Sequence, residues 1–260
     1  MTDATTRFSL DGRVCVVTGG AGLYGRWIAQ GLAEHGATVV LAARNAEACE
    51  AVAAELASHG LRAWAQRLDL ADEDSIRELR DELMRRHGRI DVLVNNAVHR
   101  AGGDFFATEP SDFAATHRVN GEGLFLITQL CAEQMIHRRA GSIVNIASIY
   151  GVVGPDFGVY GDSGMTTPVP YAYDKGGMLA FTRYLATYLG RWGVRANAIS
   201  PGGLQTDQDP AFVEAYAQRT PLARMAGPED IKGPIVFLAS DASAYVTGTN
   251  LAVDGGWTAR

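Results

Sequence analysis

The 260-residue chain predicts an α/β fold, a doubly wound parallel sheet of about seven strands with helices on both faces. Three observations lead there. Short runs rich in valine and isoleucine alternate with longer amphipathic stretches from end to end. The short runs are almost continuously apolar, as strands covered on both faces must be. Glycine reaches 30 of 260 residues, against a usual ~7%, without low-complexity tracts, which suits a chain with many tight turns.

Strands are expected at 14–17, 39–41, 63–68, 90–94, 143–147, 194–199 and 251–253. Each is bounded by turn residues or charges. Helices are expected at 23–35, 46–59, 72–87, 111–138, 171–192 and 228–240. Asp72 precedes an acidic first turn, and Ser111-Asp112 follows Pro110, both patterns of helix amino ends. No shift of composition and no internal repeat divides the chain, so residues 1–260 read as one domain. Segments 151–170 and 203–228 are punctuated by proline and glycine and follow strands. Both therefore fall at the carboxyl edge of the sheet, where such folds bind ligands.

Composition removes several function classes. The net charge of −6 and a pI near 5.5 argue against nucleic acid, which calls for a basic stripe. Cys15, Cys49 and Cys131 are isolated, so neither a disulfide frame nor a zinc cluster is expected, and a reducing compartment suits them. No His/Asp/Glu grouping has metal-ligand spacing. The polar start and the broken apolar runs offer neither a secretory signal nor a membrane span, so the expected location is cytoplasmic. Ser148 lacks the G-x-S-x-G setting of a hydrolase nucleophile. His35, His59, His87 and His137 sit near expected helix ends, where a cation suits the dipole.

The first strand runs into Thr18-Gly19-Gly20-Ala21-Gly22-Leu23-Tyr24-Gly25 and then a helix. Glycines at 19, 22 and 25 allow a tight turn and close backbone approach to a phosphate, with the helix amino end supplying N–H donors. A plain strand–helix turn would also use glycine; its place after the first strand of an α/β chain favours the dinucleotide site. The second strand ends in Ala43-Arg44-Asn45. Where a carboxylate would bind the ribose hydroxyls, Arg44 offers a planar cation suited to a 2′-phosphate. NADP(H) is therefore favoured, with NAD(H) left open.

Hydride transfer to a carbonyl leaves an alkoxide that needs a proton donor beside it. Tyr171 and Lys175 are four residues apart on one face of a predicted helix, so the ammonium can stabilise the phenolate. No other tyrosine has a lysine or arginine at that offset. The preceding strand ends at Ser148, whose hydroxyl can hold a substrate oxygen.

From Gly12 to Trp257 the chain resembles the compact, single-domain branch of the short-chain dehydrogenase/reductase family, which implies a Rossmann-type fold. Thr18-Gly19 to Gly25 matches the family's glycine segment, Leu68-Asp69-Leu70 its adenine-side aspartate, and Asn95-Asn96-Ala97 the segment after the fourth strand. Pro201-Gly202-Gly203-Leu204-Gln205-Thr206 is similar to the stretch that embraces the nicotinamide amide. Val253-Asp254-Gly255-Gly256 resembles the usual ending. The resemblance implies a catalytic tetrad of Asn120, Ser148, Tyr171 and Lys175. Tyr171 would be the proton donor or acceptor and Ser148 would polarise the carbonyl. Lys175 would link the cofactor ribose to the tyrosine. Asn120 would hold a water from a break in its long helix. Cofactor contacts are implied for Gly19, Gly22, Leu23, Tyr24, Arg44, Asp69, Leu70, Asn96, Ala97, Tyr171, Lys175, Pro201, Gly202, Leu204 and Thr206.

Three positions depart from the pattern. Leu23 stands where compact members have glycine, so the loop must turn differently there. Val98 also replaces a common glycine. Ser148 and Tyr171 are separated by more chain than is usual, and the extra length resembles substrate-side loops of members acting on sugars or sugar acids. His99, Asp156, Tyr160, Asp162 and Gly203 are the candidate substrate contacts. The leading expectation is a reversible carbonyl/alcohol oxidoreductase acting on a small molecule, assembled as a homotetramer or, failing that, a homodimer. A nucleotide-sugar epimerase or dehydratase is the first alternative, although those relatives carry a further carboxyl-terminal domain. A non-catalytic dinucleotide-binding protein is the second.

Overall fold

A computed structural model of the protein describes residues 5–260. Seven strands form one sheet: β1 (Val14–Thr18), β2 (Thr38–Ala43), β3 (Ala63–Arg67), β4 (Val92–Asn95), β5 (Gly141–Ile146), β6 (Val194–Pro201) and β7 (Asn250–Val253). Their order is β3-β2-β1-β4-β5-β6-β7, and every neighbouring pair is parallel. β1 pairs β2 on one side (Val17 opposite Leu41) and β4 on the other (Val17 opposite Val94). Strand order reverses between β1 and β4, and a crevice opens there at the carboxyl ends.

Among the described residues eight α-helices flank the sheet: α1 (Gly25–Glu34), α2 (Ala46–Ser58), α3 (Glu73–His87), α4 (Pro110–His117), α5 (Leu124–Arg138), α6 (Val169–Leu189), α7 (Pro210–Arg219) and α8 (Lys232–Ala239). Side chains alternate across the strands, so β1 serves two cores. Cys15 and Val17 pack with Ile28, Leu32 and Ile235 of α1 and α8; Val14 and Val16 pack with Leu79, Leu83, Ile127 and Leu185 of α3, α5 and α6. Of the two expected helix starts, Asp72 caps α3 by accepting from the Asp74 N–H, while α4 begins at Pro110 after Glu109, whose N–H donates to the Asp112 carboxylate. The structure adds two ends not expected: Asn45 accepts from the Ala48 N–H at the start of α2, and Gly88 ends α3 in the left-handed region.

The helix expected over 111–138 is interrupted. Residues Arg118–Gly123 form a wider π-helical turn between α4 and α5, and Asn120 lies within it. The 203–228 segment, expected as loop, contains α7. Asp209 caps it through the Ala211 N–H, and Pro210 occupies its first turn, where a missing N–H costs nothing. In the 151–170 segment, Val159 is buried with Ile149, Tyr216, Met225 and Trp257, whereas residues 161–166 are exposed.

Candidate active site

A cleft of about 930 Å³ runs along the carboxyl edge of the sheet, of a size to hold a dinucleotide and a small substrate together. Gly19, Gly22, Leu23 and Tyr24 line one end. Gly19 turns the chain with φ +64°, and Gly25 lets α1 approach so closely that an added Cβ would lie 2.1 Å from the Gly19 carbonyl oxygen. Leu23 keeps a negative φ, so the altered glycine spacing is absorbed without strain. No side chain caps the amino end of α1; the Arg26 N–H is taken by the Gly22 carbonyl at 3.2 Å, and the other N–H groups of that first turn suit an anionic ligand in the cleft. Arg44 lines the wall beside β2 and makes no ion pair among the described residues. Asp69, Leu70, Asn96 and Ala97 continue the lining, and the Asn96 side chain donates to the Thr18 and Gly19 carbonyls. These features fit a dinucleotide.

The end carrying the expected catalytic residues is built by β5 and α6. Ser148, Tyr171 and Lys175 all border the cleft. The Ser148 hydroxyl oxygen accepts from the Tyr150 N–H at 3.1 Å, which pins the oxygen and leaves its proton to give. Lys175 is 4% exposed, and its Nζ donates to the Ile146 carbonyl at 2.5 Å. Burial pushes its ammonium down to about 7; the nearby Arg100 adds to this and Asp174 opposes it. Two cations flank the Tyr171 ring: the Arg100 guanidinium is 4.2 Å and Lys175 Nζ 5.8 Å from its centroid.

Asn120 lies behind the cleft rather than in its wall. Its Nδ2 donates to the His99 carbonyl (2.9 Å) and to Asp174 (3.2 Å), and its Oδ1 accepts from the His99 N–H (2.8 Å). Asp174, itself buried, also meets His117 Nδ1 at 2.9 Å. This network braces the segment leaving β4 that carries His99 and Arg100.

Pro201, Gly202, Gly203, Leu204, His99 and Tyr160 line the cleft. Besides Asn120, three expected residues do not. Asp156 caps Gly158 and pairs with Arg219 (3.1 Å), so its carboxylate is already engaged outside the cleft. Asp162 lies in the exposed stretch of the loop, and Thr206, outside the lining, donates its backbone N–H to the side-chain carbonyl of Gln208, which does line the cleft. Arg100, Tyr150, Phe212 and Tyr216 line the cleft without having been singled out in the sequence. For Arg100 the only sequence signal is a cation shortly after an apolar strand.

The family model described as enoyl-(acyl carrier protein) reductase matches residues 23–258. The chain is 34% identical over 251 residues to the 3-oxoacyl-[acyl-carrier-protein] reductase of Thermotoga maritima, covering 95% of this chain and 98% of that protein. It is 32% identical over 255 residues to the 5-keto-D-gluconate 5-reductase of Escherichia coli K12, covering 96% of each. The crystal structure of a gluconate 5-dehydrogenase from Burkholderia cenocepacia, in complex with NADP and tartrate, superimposes with a TM-score of 0.89 at 36% identity, over 99% of this chain and 100% of that one. Among the described residues no helix is long and apolar enough to cross a membrane, and no group of side chains could hold a metal ion. The chain belongs to the short-chain dehydrogenase/reductase family of nicotinamide-dependent oxidoreductases.

Proposed function

We propose that the protein is a cytoplasmic, NADP(H)-preferring enzyme that interconverts a ketone and a secondary alcohol on a small sugar acid. The single observation that carries the substrate class is Arg100. Its guanidinium lines the cleft, lies over the Tyr171 ring and has no carboxylate partner among the described residues. A planar cation in that position suits a substrate carboxylate held by paired hydrogen bonds. Arg44, equally unpaired, suits the 2′-phosphate of NADP(H). The names of the Escherichia coli and Burkholderia relatives, the second solved with NADP and the hydroxy acid tartrate, support the same choice.

A nicotinamide held in this cleft would supply the hydride in reduction and accept it in oxidation. The chain's own residues do the rest. Ser148 donates its free proton to the reacting oxygen and holds it in place. Tyr171 gives its phenolic proton to that oxygen in reduction and takes it back in oxidation. Lys175 and Arg100 place positive charge beside the ring, near the negative charge that the proton transfer develops. Asn120 and Asp174 keep the Arg100 segment in register. Phe125, Tyr173, Tyr184 and Tyr188 expose aromatic surface on α5 and α6, which supports the homotetramer; light scattering of the purified chain tests it.

The substrate class is tested with NADP-linked turnover of sugar acids, neutral polyols of equal length and a 3-oxoacyl thioester. Sugar acids are expected to react best. Arg100→Met is expected to raise their KM by about 10- to 100-fold, the effect of losing a charge-assisted hydrogen-bonded pair, and to leave neutral polyols much less affected. Equal losses on acids and polyols, or turnover confined to the thioester, would overturn the substrate assignment.

A further inference from the structure

One peptide unit at the edge of the cleft is held at both ends by phenols. The Tyr24 hydroxyl donates to the Gly202 carbonyl at 2.8 Å, and the Gly203 N–H donates to the Tyr216 hydroxyl oxygen at 2.6 Å. The described chain has no cis peptide, so this C=O and N–H point in opposite directions, and turning the unit over breaks both bonds.

The two glycines explain why such a grip is needed. A peptide between glycines reorients with the least steric hindrance of any in the chain. The glycines are also what lets Tyr216 approach. A Cβ added to Gly202 would lie 2.9 Å from the Tyr216 hydroxyl; one added to Gly203 would lie 2.9 Å from Met225 Cε and 3.2 Å from the Tyr216 ring. The residue type that makes room thus brings a freedom that the hydroxyls remove. Both phenols stay protonated at neutral pH, so Tyr24 keeps the proton it donates and Tyr216 accepts as a neutral hydroxyl. Burial raises Tyr24 well above the ordinary phenol value and pushes Tyr216 up to about 12.

The two tyrosines come from different parts of the fold. Tyr24 belongs to the glycine loop at the start of α1. Tyr216 lies on α7, its ring 4.4 Å from Trp257 and 5.9 Å from Phe212. Phe212 stacks on Tyr160 of the 151–170 segment, with centroids 5.7 Å apart and planes 10° apart. A continuous path of contacts therefore runs from the substrate-side loop through α7 to the glycine peptide and on to the cofactor loop.

We propose that Tyr24 and Tyr216 are paired positioning residues that hold the Gly202–Gly203 peptide in the orientation the dinucleotide needs, and that Phe212 and Tyr160 tie this peptide to the substrate-side loop. The proposal rests on the cleft binding NADP(H), and not on which alcohol or ketone reacts.

The test uses Tyr24→Phe, Tyr216→Phe and the double variant, each deleting only a hydroxyl. The dissociation constant for NADPH is read by quenching of tryptophan fluorescence, beside urea midpoints and steady-state kinetics. Each single variant is expected to weaken NADPH binding about three- to tenfold, the factor set by one ordinary hydrogen bond. The double variant is expected to lose about as much as the weaker-binding single, because either deletion frees the same peptide. Cofactor KM should rise by more than kcat falls, and the Tyr24→Phe urea midpoint should stay near that of the wild type. Unchanged affinity in a single variant, losses that multiply in the double, or losses that follow the urea midpoint would overturn the proposal. If Tyr216→Phe fails to fold, Tyr24→Phe decides it alone. Failure of the wild-type protein to bind NADPH at all would overturn the cofactor assignment, which is a separate outcome.

Discussion

Replacing Lys175 by methionine should stabilise the protein while it disables the enzyme. The fold buries this ammonium, whose value falls from 10.5 to about 7. A shift of that size disfavours the charged form by roughly 4–5 kcal/mol. For a base with a depressed folded value, the cost is fully present below that value and fades as pH rises towards the unfolded one. Methionine matches the length and apolar character of the lysine stem but leaves the Ile146 carbonyl without its donor, a loss of about 1–3 kcal/mol. The variant should therefore be about 2–3 kcal/mol more stable than wild type near pH 6, and this advantage should shrink by about 2–3 kcal/mol by about pH 9. Urea unfolding at several pH values, at one protein concentration, measures this. Turnover should fall by about 10²- to 10⁴-fold. A stability difference that is flat with pH, or one that grows as pH rises, would refute the idea that the fold is strained by a charge kept for chemistry.

Other outcomes follow from the same geometry. Tyr171→Phe should lower turnover by at least about 10²-fold, as expected for loss of a general acid, while NADPH affinity by fluorescence titration changes little. Arg44→Ala should weaken NADPH by about tenfold or more and leave NADH nearly unchanged, the loss of one charge-assisted contact; equal effects on both would remove Arg44 from the phosphate site. Cys15, Cys49 and Cys131 are buried, with the Cys131 thiol pushed up to about 12 and Cys15 higher still. A chromogenic thiol reagent should therefore label none of them in the native protein and all three after denaturation.

The elements that were legible in the sequence are those whose signal is local. β1, β4, β5 and β6 announce themselves as apolar runs, and Asp72 marks the start of α3 by capping chemistry that needs no distant partner. The pairing of Tyr171 with Lys175 was equally plain, because a helix brings residues four apart onto one face. α7 was missed because its ten residues lie in a stretch punctuated by Pro201, Pro210 and Pro228, where proline at a helix start reads the same as proline in a loop. Asp156 and Asp162 looked like hydroxyl ligands for their chemistry alone. That Asp156 would be taken by Arg219, from an element sixty residues away, is written nowhere near it.

The sequence by itself determined the sheet, the order of its motifs and the chemistry of its reactive helix, since each depends on the identity and spacing of neighbours along the chain. Only the tertiary structure decided which side chains share the cleft. It set Arg100 over the Tyr171 ring, placed Asn120 behind the wall in a bond to Asp174, and met the Gly202–Gly203 peptide with phenols from the glycine loop and α7. Those contacts join residues far apart in the chain. They arise when the sheet reverses its strand order and α7 closes over the crevice, and no periodicity encodes a distance between two helices.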